Sequence, residues 1–60
     1  MKSMKEIIEN AKAKALNSGK SVMVYDTGHD FELILDGEGQ GNGTLAYIIS
    51  PSGEVQMVDG

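Results

Sequence analysis

Asp36 to Gly43 reads DGEGQGNG, with glycine at every second position. Each glycine adds backbone entropy that ordering must remove, so the stretch suits neither a helix nor an ordinary strand and is read as a loop. Outward from it on both sides the pattern has a period of two. Lys20 to Asp26 (KSVMVYD) and Phe31 to Asp36 (FELILD) precede the loop, and Thr44 to Ser50 (TLAYIIS) and Glu54 to Val58 (EVQMV) follow it. These short runs, rich in β-formers and separated by turn residues, predict four strands. Ser50-Pro51-Ser52-Gly53 has proline second and glycine fourth, as a type I turn favours, so the last two strands should form a hairpin. Asn42-Gly43 is expected to help the chain reverse between the second and third strands. Short loops join antiparallel neighbours, and the strands should lie side by side in chain order as a meander.

Further out, the period changes to 3.6. Ser3-Met4-Lys5-Glu6 matches a capping box, in which the serine hydroxyl accepts from the backbone of residue 6 and the glutamate reaches back to the serine amide. From there Met4, Ile7, Ile8, Ala11 and Ala15 fall on one stripe, with Glu6, Glu9, Asn10 and Ala13 opposite. Lys12 and Lys14 are placed in the last turns, complementing the helix dipole, and Gly19 supplies the glycine expected just past the end. The chain of 60 residues is therefore expected to be one small α+β domain, an N-terminal helix packed on a four-stranded antiparallel sheet.

A domain of this size buries only about 60% of the surface its unfolded chain exposes, so its stability is marginal. Cysteine is absent, which removes disulfides and thiolate zinc sites as staples and points to a reducing, cytoplasmic setting. No run approaches the roughly 20 apolar residues of a membrane span, and no signal-peptide core is present, so a soluble, non-exported chain is expected.

The net charge is −4, and its distribution matters more than its sum. All five lysines lie in residues 1 to 20, which carry +3 after Glu6 and Glu9 are subtracted. From Ser21 onward seven acids (Asp26, Asp30, Glu32, Asp36, Glu38, Glu54, Asp59) stand with no lysine, giving −7. A chain without arginine and with an acidic body repels phosphate, which argues against direct nucleic-acid binding. A basic protein surface is attracted over about a Debye length. The helix reads as a solvated basic face over a small core rather than a membrane or calmodulin-type segment, because Glu6 and Glu9 dilute its charge and alanines thin its apolar side.

Strand alternation assigns Val22, Val24, Phe31, Leu33, Leu35, Leu45, Tyr47, Ile49, Val55 and Met57 to the side beneath the helix. The other side receives Met23, Tyr25, Ile34, Ala46, Ile48 and Val58 among Glu32 and Gln56. That second side is too apolar to stand fully in water, which predicts self-association, as a dimer, or a protein partner bound there or at a sheet edge. A loop wrapped over it would be the internal alternative.

Three stretches could carry chemistry. Val24-Tyr25-Asp26-Thr27-Gly28, two apolar residues followed by DTG, resembles the signature of pepsin-like and retroviral aspartic proteases over five to seven residues. The resemblance implies a dimeric enzyme in which Asp26 from two chains shares one proton, together with a flap hairpin, a second apolar-apolar-glycine segment and a substrate cleft. Those parts need more chain than sixty residues supply. As a turn, Asp26 makes an Asx-type bond, Gly28 takes positive φ, and a hairpin results; this is the reading carried forward. In the glycine-rich loop Asp36, Glu38 and Gln40 fall at positions 1, 3 and 5 of a calcium loop and Gly41 at position 6. The twelfth place is Tyr47, so only a weak ion or small-ligand site is implied. His29 beside Asp30 and near Asp26 lacks a nucleophile and reads as a solvated loop side chain.

The sequence-level expectation is a non-enzymatic, acidic interaction module, an inhibitor or regulator of the kind that phages and mobile elements also encode. It would bind a basic surface of a partner protein through Tyr25, Asp26, Asp30, Glu32, Ile34, Asp36, Glu38 and Ile48, with no cofactor and no metal.

Overall fold

A computed structural model describes residues 3 to 58. Its elements follow the order α1 (Met4–Ser18), β1 (Val22–Asp26), β2 (Phe31–Leu35), β3 (Thr44–Ile49) and β4 (Val55–Met57). The expected helix and four antiparallel strands are all present, in one sheet.

Ser3 starts the helix. Its hydroxyl accepts from the Glu6 amide at 3.3 Å, which satisfies one of the amides that a helix N-terminus leaves without a partner. At the other end Gly19 takes φ +72 and its amide donates to the Ala15 carbonyl, which also accepts from Ser18 Oγ. One expectation is corrected here: the last turn holds no basic residue, since Lys12 and Lys14 lie further back and the chain runs on through Ala15 to Ser18. Ser3→Ala is expected to lower stability by about 1 kcal/mol, read as a shift in the urea midpoint at unchanged slope.

Among the described residues the buried core is six side chains, Ile7, Ala11 and Ala15 from the helix and Val22, Val24 and Ile49 from the sheet. The two alanines let the helix axis come close to the central strands, where a longer side chain would hold it off. Ile8, Phe31, Leu33, Leu35 and Tyr47 pack around this cluster, half-buried. The helix lies on β1, β2 and β3, and among the described residues it makes no contact with β4.

The lateral order of the strands is β2-β1-β3-β4, which corrects the chain-order meander. β1 is central and pairs with both β2 and β3, while the expected hairpin joins β3 to β4. β2 and β3 therefore run parallel on either side of β1, and the glycine-rich segment is a crossover, not a hairpin loop. It leaves β2 where Leu35 pairs with Val22 and enters β3 where Thr44 pairs with Asp26. It thus has to travel about 13 Å along the sheet and about 10 Å across it. Eight nearly extended residues reach at most about 28 Å, so the connection fits.

The crossover passes over the side opposite the helix. A Cβ at Gly41 would come within 2.5 Å of the Tyr25 ring, so the loop backbone lies directly on that ring. Asn42 donates from its backbone amide and its Nδ2 to Glu32 Oε2, at 3.4 and 3.3 Å. Tyr25 and Glu32 are register partners and point away from the helix, in alternation with the buried Val24 and its partner Leu33.

The expected alternation along β3 is also corrected. Val24 pairs with Tyr47 but Tyr25 pairs with Leu45, which leaves Ala46 as the extra residue of a bulge. The bulge reverses the alternation, so Leu45 shares the side of Tyr25 instead of lying beneath the helix. The expected burial of β4 is corrected as well: Val55 and Met57 share the helix-side register with Ile49 and Tyr47, yet they are 43% and 73% exposed because the helix stops short of them.

Candidate functional site

The turn between β1 and β2 is built from its own side chains. Asp26 Oδ1 accepts from the Gly28 amide at 2.8 Å, and Gly28 takes φ +94, as the turn reading of DTG requires. The Thr27 amide and Oγ1 both donate to the Asp30 carbonyl, and the Asp30 amide donates back to Thr27 Oγ1. Asp30 Oδ1 then accepts from the Phe31 amide at 2.9 Å. His29 is exposed at the tip. The Asp26 carboxylate is thus engaged by its own loop.

The residues expected to bind a partner divide into two groups. Asp26, Asp30, Asp36 and Glu38 are exposed. Tyr25, Glu32, Ile34 and Ile48 are half-buried on the side crossed by the glycine-rich loop, where Met23 pairs with both Ile34 and Ile48. Of the apolar members, Tyr25 lies under the loop backbone, which Asn42 ties to Glu32, while Ile34 and Ile48 are half-buried beside Met23. Asn42 was read as a reversal residue and Thr27 as part of the DTG turn, without the bonds that each makes here. Nothing local showed that Glu32, ten residues away, would be the partner of Asn42.

Charge separates by layer. Lys5, Lys12 and Lys14 are exposed on the helix and Lys20 follows it. Between Ser21 and Val58 stand six carboxylates and no lysine. Four of those six, Asp30, Glu32, Asp36 and Glu38, belong to β2 or to the residues that bracket it. Asp30 sits at one end of the strand, Glu32 on its outward side, and Asp36 with Glu38 at the other end. Among the described residues no three of the His, Asp and Glu side chains gather as a metal-ligand set, and Asp36 and Glu38 stand exposed in the loop.

Among the described residues, open grooves flank β3 and β4. The larger, about 440 Å³, is lined by Ser21, Ile48, Ser50, Glu54, Val55 and Gln56. Its serine Ser50 takes part in the turn: Oγ accepts from the Glu54 amide at 3.1 Å and lies 2.8 Å from Ser52 Oγ. The smaller, about 270 Å³, runs from Asp26 along Leu45 and Tyr47 to Met57. Neither groove brings a base within reach of a nucleophile.

No protein-family model matches the chain, and no curated protein or solved structure shows significant similarity to it. The functional reading therefore rests on this geometry. No helix among the described residues is long and apolar enough to cross a membrane.

Proposed function

We propose that this protein is a non-enzymatic interaction module whose acidic sheet-and-loop side docks on a basic surface of a partner protein, as an inhibitor or regulator does. The observation that carries the reading is the separation of charge: lysines on and just after the helix, six carboxylates on the sheet and its loops, four of them concentrated around β2. Exposed carboxylates contribute little each, but several facing one basic surface steer encounter and oppose acidic competitors. An enzyme of paired aspartates is less well supported, because Asp26 is bonded within its turn and serves its geometry.

The test uses the purified chain as bait against proteins of its host. A specific partner should be basic, and retention should fall at least about tenfold as salt rises from about 0.05 to about 0.5 M, where the Debye length shrinks from about 14 to about 4 Å. The combined variant Asp30→Asn, Asp36→Asn, Glu38→Gln should lose retention to a similar degree with its fold intact. An acidic partner, or binding indifferent to both salt and the variant, overturns the reading.

A second reading, self-association, is favoured by one observation at the other sheet edge. Val55 and Met57 of β4 are exposed, lie on the same side and have no helix above them. A second copy pairing there would extend the sheet and cover both. Mass measured by light scattering should rise with concentration for the natural chain, and Met57→Lys should hold it at one copy. A natural chain that stays monomeric at millimolar concentration removes this reading.

A further inference from the structure

The outer edge of β2 has a specific pattern of free and occupied backbone groups. In an antiparallel ladder, alternate residues exchange both hydrogen bonds with the partner strand, and those between them point their groups the other way. The Thr27 amide donates to the Asp30 carbonyl and the Asp36 amide to the Ser21 carbonyl. With the register of β1 and β2, these bonds fix Asp30, Glu32, Ile34 and Asp36 as the residues bonded toward β1. Phe31, Leu33 and Leu35 therefore turn their amides and carbonyls outward. Two of these outward groups are already occupied locally: the Phe31 amide by Asp30 Oδ1 and the Leu35 carbonyl by the Glu38 amide at 3.0 Å. Between these two stoppers the Phe31 carbonyl, both Leu33 groups and the Leu35 amide face outward from an edge to which no described strand is paired.

The side chains along this edge are sorted by side. Phe31, Leu33 and Leu35 border it beneath the helix, half-buried. Glu32 borders it on the opposite side, and Asp30 at one end with Asp36 and Glu38 at the other complete a negative frame.

We propose that the outer edge of β2 receives an extended segment of the partner in which apolar and basic residues alternate. This rests on the acidic docking reading above and names where and how the partner engages. An added strand would accept from the Leu33 and Leu35 amides and donate to the Phe31 and Leu33 carbonyls, as in peptide recognition by strand addition. Its alternate side chains would lie beside Phe31, Leu33 and Leu35 on one side and reach Glu32 on the other, with basic ends toward Asp30 and Asp36. The carboxylates then select for basic segments and repel the acidic edges of other copies of this chain. Among the described residues the β4 edge carries one carboxylate, Glu54 just before its start, and offers only three strand residues.

The test uses a blocked heptapeptide, Lys-Val-Lys-Val-Lys-Val-Lys, titrated into the isotopically labelled chain at low salt. The expected result is saturable shifts in the Leu33 and Leu35 amides, slowed hydrogen exchange at both, and little change in the helix. A peptide of the same sequence N-methylated at alternate valines keeps the charge but cannot donate from those positions, and should bind at least about tenfold more weakly. Equal binding of both peptides without slowed exchange at Leu33 and Leu35 would overturn strand addition and leave a purely electrostatic docking. Failure of both peptides to bind at low salt would overturn strand addition, with the carboxylates then only guarding the edge; the docking reading is decided separately by its own bait experiment. Protection at Val55 and Met57 instead would overturn the choice of edge.

Discussion

Gly43→Ala is expected to leave a large fraction of the molecules unfolded at room temperature. Gly43 takes φ +89, where a side chain is strained, and a Cβ there would overlap the carbonyl oxygen of Asp26. The obstacle is backbone at the end of the central strand, held by the pairing of Asp26 with Phe31 and with Thr44, so it cannot move aside without opening the sheet. Strain of this kind alone costs about 1 to 3 kcal/mol, and the overlap adds to it. The whole domain, at about 0.05 to 0.15 kcal/mol per residue, has only about 3 to 9 kcal/mol to lose. Gly28→Ala separates the two effects: its φ is similar, +94, but nothing lies within 4 Å of the added carbon. Circular dichroism with urea titration should show Gly28→Ala weakened but folded and Gly43→Ala mostly unfolded. Equal stabilities for the two variants would show that the close approach to Asp26 does not constrain the fold.

Ile49→Ala should be the most damaging of the core truncations. Ile49 is fully buried and is the largest side chain of the core to be so, paired across the sheet with Val22 on one side and Val55 on the other. Burial that complete leaves a cavity that neighbours fill only in part, and such a change costs about 2 to 5 kcal/mol. With six side chains in the buried cluster, few others can take over the lost contacts. Leu33→Ala removes a side chain of the same size from a half-buried site and should cost less, because water already reaches part of it. The comparison is read from urea midpoints; a larger loss for Leu33→Ala would mean that the core is centred nearer β2 than its burial indicates.

Much of the local structure was legible because its causes are local. The Ser3 hydroxyl and the Glu6 amide lie three residues apart, so the helix start is written within one turn. The same holds for the Asp26 bond to Gly28 and for the turn closed by the Gly53 amide on the Ser50 carbonyl. The strands were found within one or two residues of their bounds, since alternation of apolar residues is itself a record of which side is buried. The candidate site was less legible. Asp30 and Glu38 could be named as exposed acids, but not that each would occupy one outward backbone group of β2, because that depends on which strand lies on the other side.

The sequence by itself determined the helix, its caps, the four strands, the turns at each hairpin and the placement of positive charge before residue 21 and negative charge after it. Only the tertiary structure decided the order of the strands, the reversal of Leu45 by the bulge at Ala46, and the covering of Tyr25 by the loop. The reason is a matter of range. Hydrogen bonds between residues two to four apart are selected by the residues that make them, whereas an eight-residue loop rich in glycine is long and pliable enough to serve either a hairpin or a crossover. The choice between those two was made by contacts the loop does not contain: the pairing of β3 with β1, and the Tyr25 ring and Glu32 carboxylate on which the loop comes to rest.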